Sequence, residues 1–161
     1  MSLFFAKSSI IERNKIMGLD MYLRGDKFIT TFDDTKRDKD GNVLKVKRPV
    51  VDGFDVETHV LDLGTWRKFA PLHVYIVNEF ADGVDECQRI DLSAGELRKI
   101  AKALRNNKLP KNDDCHGCFF GDDEWWDELK SEGEKHAKVF DKAAEWVEST
   151  FWNSVTYRAS W

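Results

Sequence analysis

Val155-Thr-Tyr-Arg-Ala-Ser-Trp161 sets apolar Val155, Tyr157 and Ala159 against polar Thr156, Arg158 and Ser160, the two-residue period of a strand with one buried face. It closes on an indole, whereas terminal residues usually fray unless something ties them down. The segment is therefore expected to be a structural strand of the core. Near the other end, Met17-Gly-Leu-Asp-Met-Tyr-Leu23 alternates Leu19, Met21 and Leu23 with Asp20 and Tyr22 in the same way.

Between these strands the pattern alternates turns, short strands and helices. Asp33 to Asn42 is polar and contains Asp40-Gly41-Asn42, the small, φ-tolerant residues of a tight turn. Flanked by Lys27–Phe32 and Val43–Lys47, it reads as a β-hairpin with a mobile tip. Val56 to Leu63 reads as a further strand, broken by Gly64. Trp66, Phe69, Ala70, His73, Ile76, Val77 and Phe80 then recur at helical spacing, with Thr65 as a possible cap. Pro71 lacks an amide donor, so the main helix is expected to begin near Ala70, with Trp66 and Arg67 in a kinked or separate first turn. Cys87 to Asp91 reads as a short strand. Ser93-Ala-Gly-Glu96 is a capping box, with Leu92 and Leu97 placed as a hydrophobic staple, and opens a second helix reaching about Asn106.

Pro110 to Asp114 reads as a loop and Gly117-Cys-Phe-Phe-Gly121 as a buried strand. A third helix is expected from about Asp122, with acids in its first turn. Its apolar face runs through Trp126, Leu129, Ala137, Phe140, Ala144, Val147 and Phe151, where Gly133 marks a close contact or a bend. The expected fold is α+β: residues 17–161 as a single domain, a mostly antiparallel sheet with about three helices packed on it.

The 161 residues suffice for one domain with a real core. With 42% hydrophobic and 34% charged residues, eleven Phe and six Trp, the chain is too aromatic for disorder and too polar for a membrane span. A formal charge of −4 does not draw the whole molecule to nucleic acid. The odd number of cysteines, Cys87, Cys115 and Cys118, and the lack of a secretory pattern point to a reducing cytoplasm.

The two terminal segments, with Trp66-Arg67-Lys68, His73, Asp82-Gly-Val-Asp-Glu-Cys87 and Gly117–Gly121 between them, resemble a group of small tailed-phage and prophage proteins. These typically open MGLDMYL and end in a Tyr-x-x-Ser-Trp-like tail. The resemblance covers most of residues 17–161 in order. It implies a phage or prophage accessory protein in the bacterial host cytoplasm and no particular activity. Residues 1–16 precede it, as an N-terminal extension, an upstream start or an added segment, and are assigned no function.

Candidate chemistry is sparse. Cys115-His116-Gly-Cys118, with Cys87 or His73, has thiolate and imidazole ligands for zinc, but no second pair completes a familiar site. The alternative is a loop beside a buried strand, and members of the resembled group generally lack these two cysteines. Cys87 or Cys118 activated by a base such as His73 would make a nucleophile. Otherwise His73 is a satisfied core histidine and Cys87 a small buried hydrophobe. Asp82, Asp85 and Glu86 lack the alternation of an EF-hand and read as a turn. No phosphate-binding glycine motif is present, and no cofactor is implied.

Two functional readings follow. The first is a non-enzymatic module binding a host or phage protein, or itself, through Trp125 and Trp126. Those residues lie in a segment, 122–149, with ten acids and four lysines, and Trp is enriched at interface hot spots. The second is a small-molecule or nucleotide-binding protein or enzyme with a pocket near Trp66, Arg67, His73, Tyr157 and Trp161, where Arg67 pairs with phosphate or carboxylate. Nucleic acid and membrane are not expected partners.

Overall fold

The computed structural model describes residues 18–110 and 123–161. In chain order the elements are β1 (Asp20–Phe28), β2 (Phe32–Arg37), β3 (Val43–Lys45), β4 (Val50–Val51), β5 (Phe54–Asp55), β6 (Thr58–Arg67), α1 (Ala70–Phe80), β7 (Ile90–Asp91), α2 (Ala94–Arg105), α3 (Asp123–Ser131), α4 (Gly133–Glu148) and β8 (Asn153–Ser160). The main sheet is antiparallel throughout, in the order β6-β1-β8-β7. Its two central strands are thus the two segments whose alternation marks them as half-buried. They pair directly, with Met21 opposite Ala159, Leu23 opposite Tyr157 and Gly25 opposite Val155.

These residues line the sheet face that packs on the helices, and Met21, Leu23, Val155, Tyr157 and Ala159 are all buried. The intervening pairs, Tyr22 opposite Arg158 and Arg24 opposite Thr156, lie on the other face. The alternation is possible only because one face is covered and the other left open.

β6 departs from the sequence reading. The strand does not stop at Gly64 but continues to Arg67, with Met21 opposite Trp66 and Asp20 opposite Arg67. Trp66 and Arg67 are therefore strand residues, not a first helical turn. The reason is the partner strand: β1 supplies ladder bonds along the whole length, and the glycine is absorbed beside a register shift between Leu23 and Arg24. A Cβ at Gly64 would lie 2.7 Å from the Trp66 ring and 2.9 Å from Val139. Lys68, at φ 55°, turns the chain out of the sheet, and α1 begins at Ala70 with Pro71 in its first turn, as its chemistry requires. The strand expected over Cys87–Asp91 is reduced to Ile90–Asp91, since Cys87 adopts φ 56°.

α2 opens on the full capping box. Ser93 Oγ accepts from the Glu96 amide and the Glu96 side chain accepts from the Ser93 amide, while Leu92 and Leu97 are buried as a staple. The expected third helix is two helices, α3 and α4, broken at Glu132, so that the described residues contain four helices rather than three. Gly133 opens α4 where it crosses α2: a Cβ there would stand 2.7 Å from the Leu104 carbonyl oxygen. The helices run antiparallel and are flanked by ion pairs, Arg98 with Glu148 and Arg105 with both Glu134 and Asp141. At the far end of α4, the Asn153 side-chain amide donates to the Trp146 carbonyl (2.8 Å) and ties the helix terminus to β8.

Residues 29–57 leave the sheet as an arm of two small hairpins. β2 pairs with β3 and β4 with β5, so the hairpin strand is Phe32–Arg37, within the polar stretch, while Lys27 and Phe28 belong to β1. The tip is built, with Asp38 accepting from the amides of Asp40 and Asn42 (both 2.9 Å) and Gly41 at φ 83°. The segment Gly117–Gly121 lies outside the described residues.

Gly133→Ala is expected to lower unfolding free energy by about 1–3 kcal/mol, because the obstructing atom is backbone. Gly95→Ala, in the first turn of α2 with nothing nearer than 4.0 Å, is expected to be neutral or stabilising by up to about 1 kcal/mol. Urea titration of both variants checks the contrast.

Candidate functional site

α1 turns His73 into the core, where only 2% of the residue is exposed. Its Nε2 lies 2.9 Å from Asp85 Oδ2 and its Nδ1 2.8 Å from the Tyr157 hydroxyl. A carboxylate only accepts, so Nε2 carries the proton and donates. In the neutral ring Nδ1 then accepts from Tyr157. Burial, reinforced by the Asp85 charge, holds the Tyr157 phenol well above its usual range, which keeps it a donor. Trp161 tilts against the imidazole, ring centroids 5.7 Å apart. Asp85 reaches the site from the turn after α1, where Asp82 and Gly83 take positive φ (52° and 72°).

This arrangement ties α1, the following turn and β8 together. Both nitrogens of His73 are engaged, so neither is left to activate Cys87. That cysteine is half-buried, and its carbonyl accepts from Arg158 Nε (3.3 Å). Tyr157 is sealed within the core, out of reach of a substrate. His73 is thus the satisfied core histidine, and the acidic turn is a turn.

The structure brings together His73, Tyr157 and Trp161 but places Trp66 in a different cluster. The Trp66 indole donates to His136 Nδ1 (3.0 Å) and stacks on Phe140, with centroids 5.2 Å apart and planes 7° apart. Arg67 faces the opposite side of the sheet, 3.7 Å from Asp20. Trp126 is fully buried and so is not a surface anchor, and the Trp125 side chain lies outside the described residues. Cys115, His116 and Cys118 also lie outside them. Among the described residues no group of three potential ligands gathers around a metal position, and no helix is long and apolar enough to cross a membrane.

His136 was not singled out from sequence, although its place beside Ala137 on the apolar stripe of α4 is the signal that it is buried. An indole N–H only donates, so His136 Nδ1 must be unprotonated to receive it. Among the described residues its Nε2 has no hydrogen-bond partner, the Glu132 carboxylate standing 3.8 Å away. Burial pushes the His136 pKa below its usual value; Lys135 adds to the effect, and Glu132 opposes it.

Among the described residues, exposed apolar side chains gather where the arm meets the sheet. Arg48 fastens the arm, donating to the Ile29 carbonyl (2.9 Å) and covering the Phe28 ring at 5.3 Å. Phe28 packs on Trp152 (5.3 Å) and Trp152 on Phe151 (5.4 Å). Beside this ridge a groove of about 560 Å³ runs between Trp152, Phe28, Phe32, Val46 and Pro49. Phe151 is 92% exposed, Phe54 77% and Trp152 40%, and Val50 and Val51 are also exposed. Comparison with protein-family models, curated proteins and solved structures finds no match to this chain.

Tyr157→Phe removes the donor to a buried ring nitrogen and is expected to cost about 1–3 kcal/mol of stability by urea titration. His136 gives a pH signature. Its folded pKa lies below the unfolded value near 6.5, so between those two pH values the unfolded chain binds more protons. Its contribution is fully present above pH 6.5 and is lost as pH falls through the folded pKa. Wild type minus His136→Gln, measured by urea titration across pH 5 to 8, is expected to narrow toward acid.

Proposed function

We propose that this chain is a non-enzymatic protein-binding module, an accessory protein of a tailed phage or prophage acting on a host or phage protein in the bacterial cytoplasm. The observation that carries the reading is the apolar ridge and groove at the base of the arm. Monomeric proteins rarely leave large apolar side chains contiguous at the surface unless something docks there. Phe151, Trp152 and Phe28 form one continuous aromatic ridge, and Phe32 lines the groove beside it. Aromatic residues of this kind supply large contact area at low entropic cost.

The chemistry of the core supports a binding role over a catalytic one. The His73, Asp85 and Tyr157 constellation is saturated by its own hydrogen bonds. The acids of α4 have an internal use as well, because Glu134, Asp141 and Glu148 are matched by arginines of α2. With Trp126 buried, the exposed aromatic side chains at the arm support that surface as the docking site.

The test is quantitative affinity purification from the bacterial host, with wild type compared against the double variant Phe54→Asp and Phe151→Asp. Both positions are exposed, so the unfolding free energy is expected to stay within about 0.5 kcal/mol. A partner that copurifies with wild type, rebinds when purified, and loses at least about tenfold in affinity for the variant supports the reading. Equal recovery by both proteins would place the interface elsewhere.

A further inference from the structure

The open face of the sheet, opposite the helices, carries a second groove, of about 490 Å³, unconnected with the protein-docking surface proposed above. Its position follows from strand register. Arg24 on β1 stands opposite Thr156 on β8, and Tyr22 opposite Arg158, so Arg24 and Arg158 are diagonal neighbours on one face. Arg89, just before β7, reaches Thr156 Oγ1 at 3.4 Å from the other side. Three arginines and this threonine therefore line one groove.

The charge of the groove differs from that of the chain. Three arginines line it against one aspartate, Asp26, a local net of +2 in a protein whose formal charge is −4. Arg89 lies 3.0 Å from Asp26, and Arg24 only 3.6 Å from Asp62. Arg158 pairs with no carboxylate among the described residues; its Nε donates to the Cys87 carbonyl (3.3 Å). An exposed arginine whose planar fork has donors to spare is suited to a bidentate anion.

We propose that this groove binds a small phosphomonoester carrying a planar ring, a mononucleotide, with the phosphate over Thr156 between Arg24, Arg89 and Arg158. A phosphomonoester carries close to two negative charges at neutral pH, and the groove stays net positive even when Asp62 beside Arg24 is counted with Asp26. The Tyr22 ring, already stacked by the Arg24 guanidinium at 5.2 Å, and the exposed Val60 side chain supply aromatic and apolar ground for the rest of the ligand. The site is distinct from the set Trp66, Arg67, His73, Tyr157 and Trp161. Of those, Arg67 alone shares this face, and it is not among the groove's lining residues.

The probes are AMP, inorganic phosphate, adenosine and the oligonucleotide dT10, followed by amide chemical shifts of the intact protein. AMP is expected to bind saturably, with a Kd below about 1 mM, and to shift amides of residues 22–26 and 154–158. Phosphate is expected to bind at the same amides more weakly, and adenosine not to bind. Arg158→Gln is expected to weaken AMP by about tenfold or more, and Arg158→Lys by less, because it keeps the charge but loses the fork. Arg89→Gln, at a separate exposed position, reports independently should the first variant fail to fold. No saturable shift with AMP or phosphate up to about 10 mM overturns the proposal. So does AMP binding unaffected by either glutamine variant, or binding of dT10 without AMP.

Discussion

The pairing of β1 with β8 is the constraint on which the rest of the structure depends. It brings segments more than a hundred residues apart into the middle of one sheet, and each then offers its outer edge to a further strand, β6 to β1 and β7 to β8. The helices cover only the face carrying Met21, Leu23, Val155 and Tyr157. Loop closure over so long a span is entropically costly, and its compensation is the burial of nearly every inward side chain of both strands. The His73 hydrogen bonds pin the first helix to β8 and to the turn that follows the helix.

Glycine and charge then set how closely the second layer approaches. Gly25 makes room for the Trp146 ring on the sheet, and Gly133 lets α4 cross within backbone contact of α2. Around that crossing, arginines seven residues apart on α2 meet acids seven residues apart on α4. Such exposed pairs are weak individually and screened by salt, so they serve to orient two helices whose apolar faces supply the attraction. Three of the ten acids in residues 122–149 are thereby paired within the fold.

What remains for function lies away from the core. The buried polar groups of His73 and Tyr157 are satisfied within the fold, and the two surfaces proposed for binding differ in chemistry. The base of the arm is aromatic and apolar, whereas the open sheet face is lined by arginines. The two surfaces share no lining residue.

The sequence by itself determined those features that depend on near neighbours. The two alternating strands, the capping box at Ser93, the helix start near Pro71 and the turn at Gly41 follow from local periodicity and backbone chemistry, and all are present. Gly133 was legible as a contact or a bend, and it is both. Only tertiary structure decided that Trp66 and Arg67 lie in a strand, because the β1 ladder outweighs a helical spacing of apolar residues. Likewise, no periodicity reveals that Trp66 meets His136 across seventy residues, or that Arg24, Arg89 and Arg158 share one groove. Those juxtapositions are set by strand order and register, which arise from long-range pairing and leave no local mark on the chain.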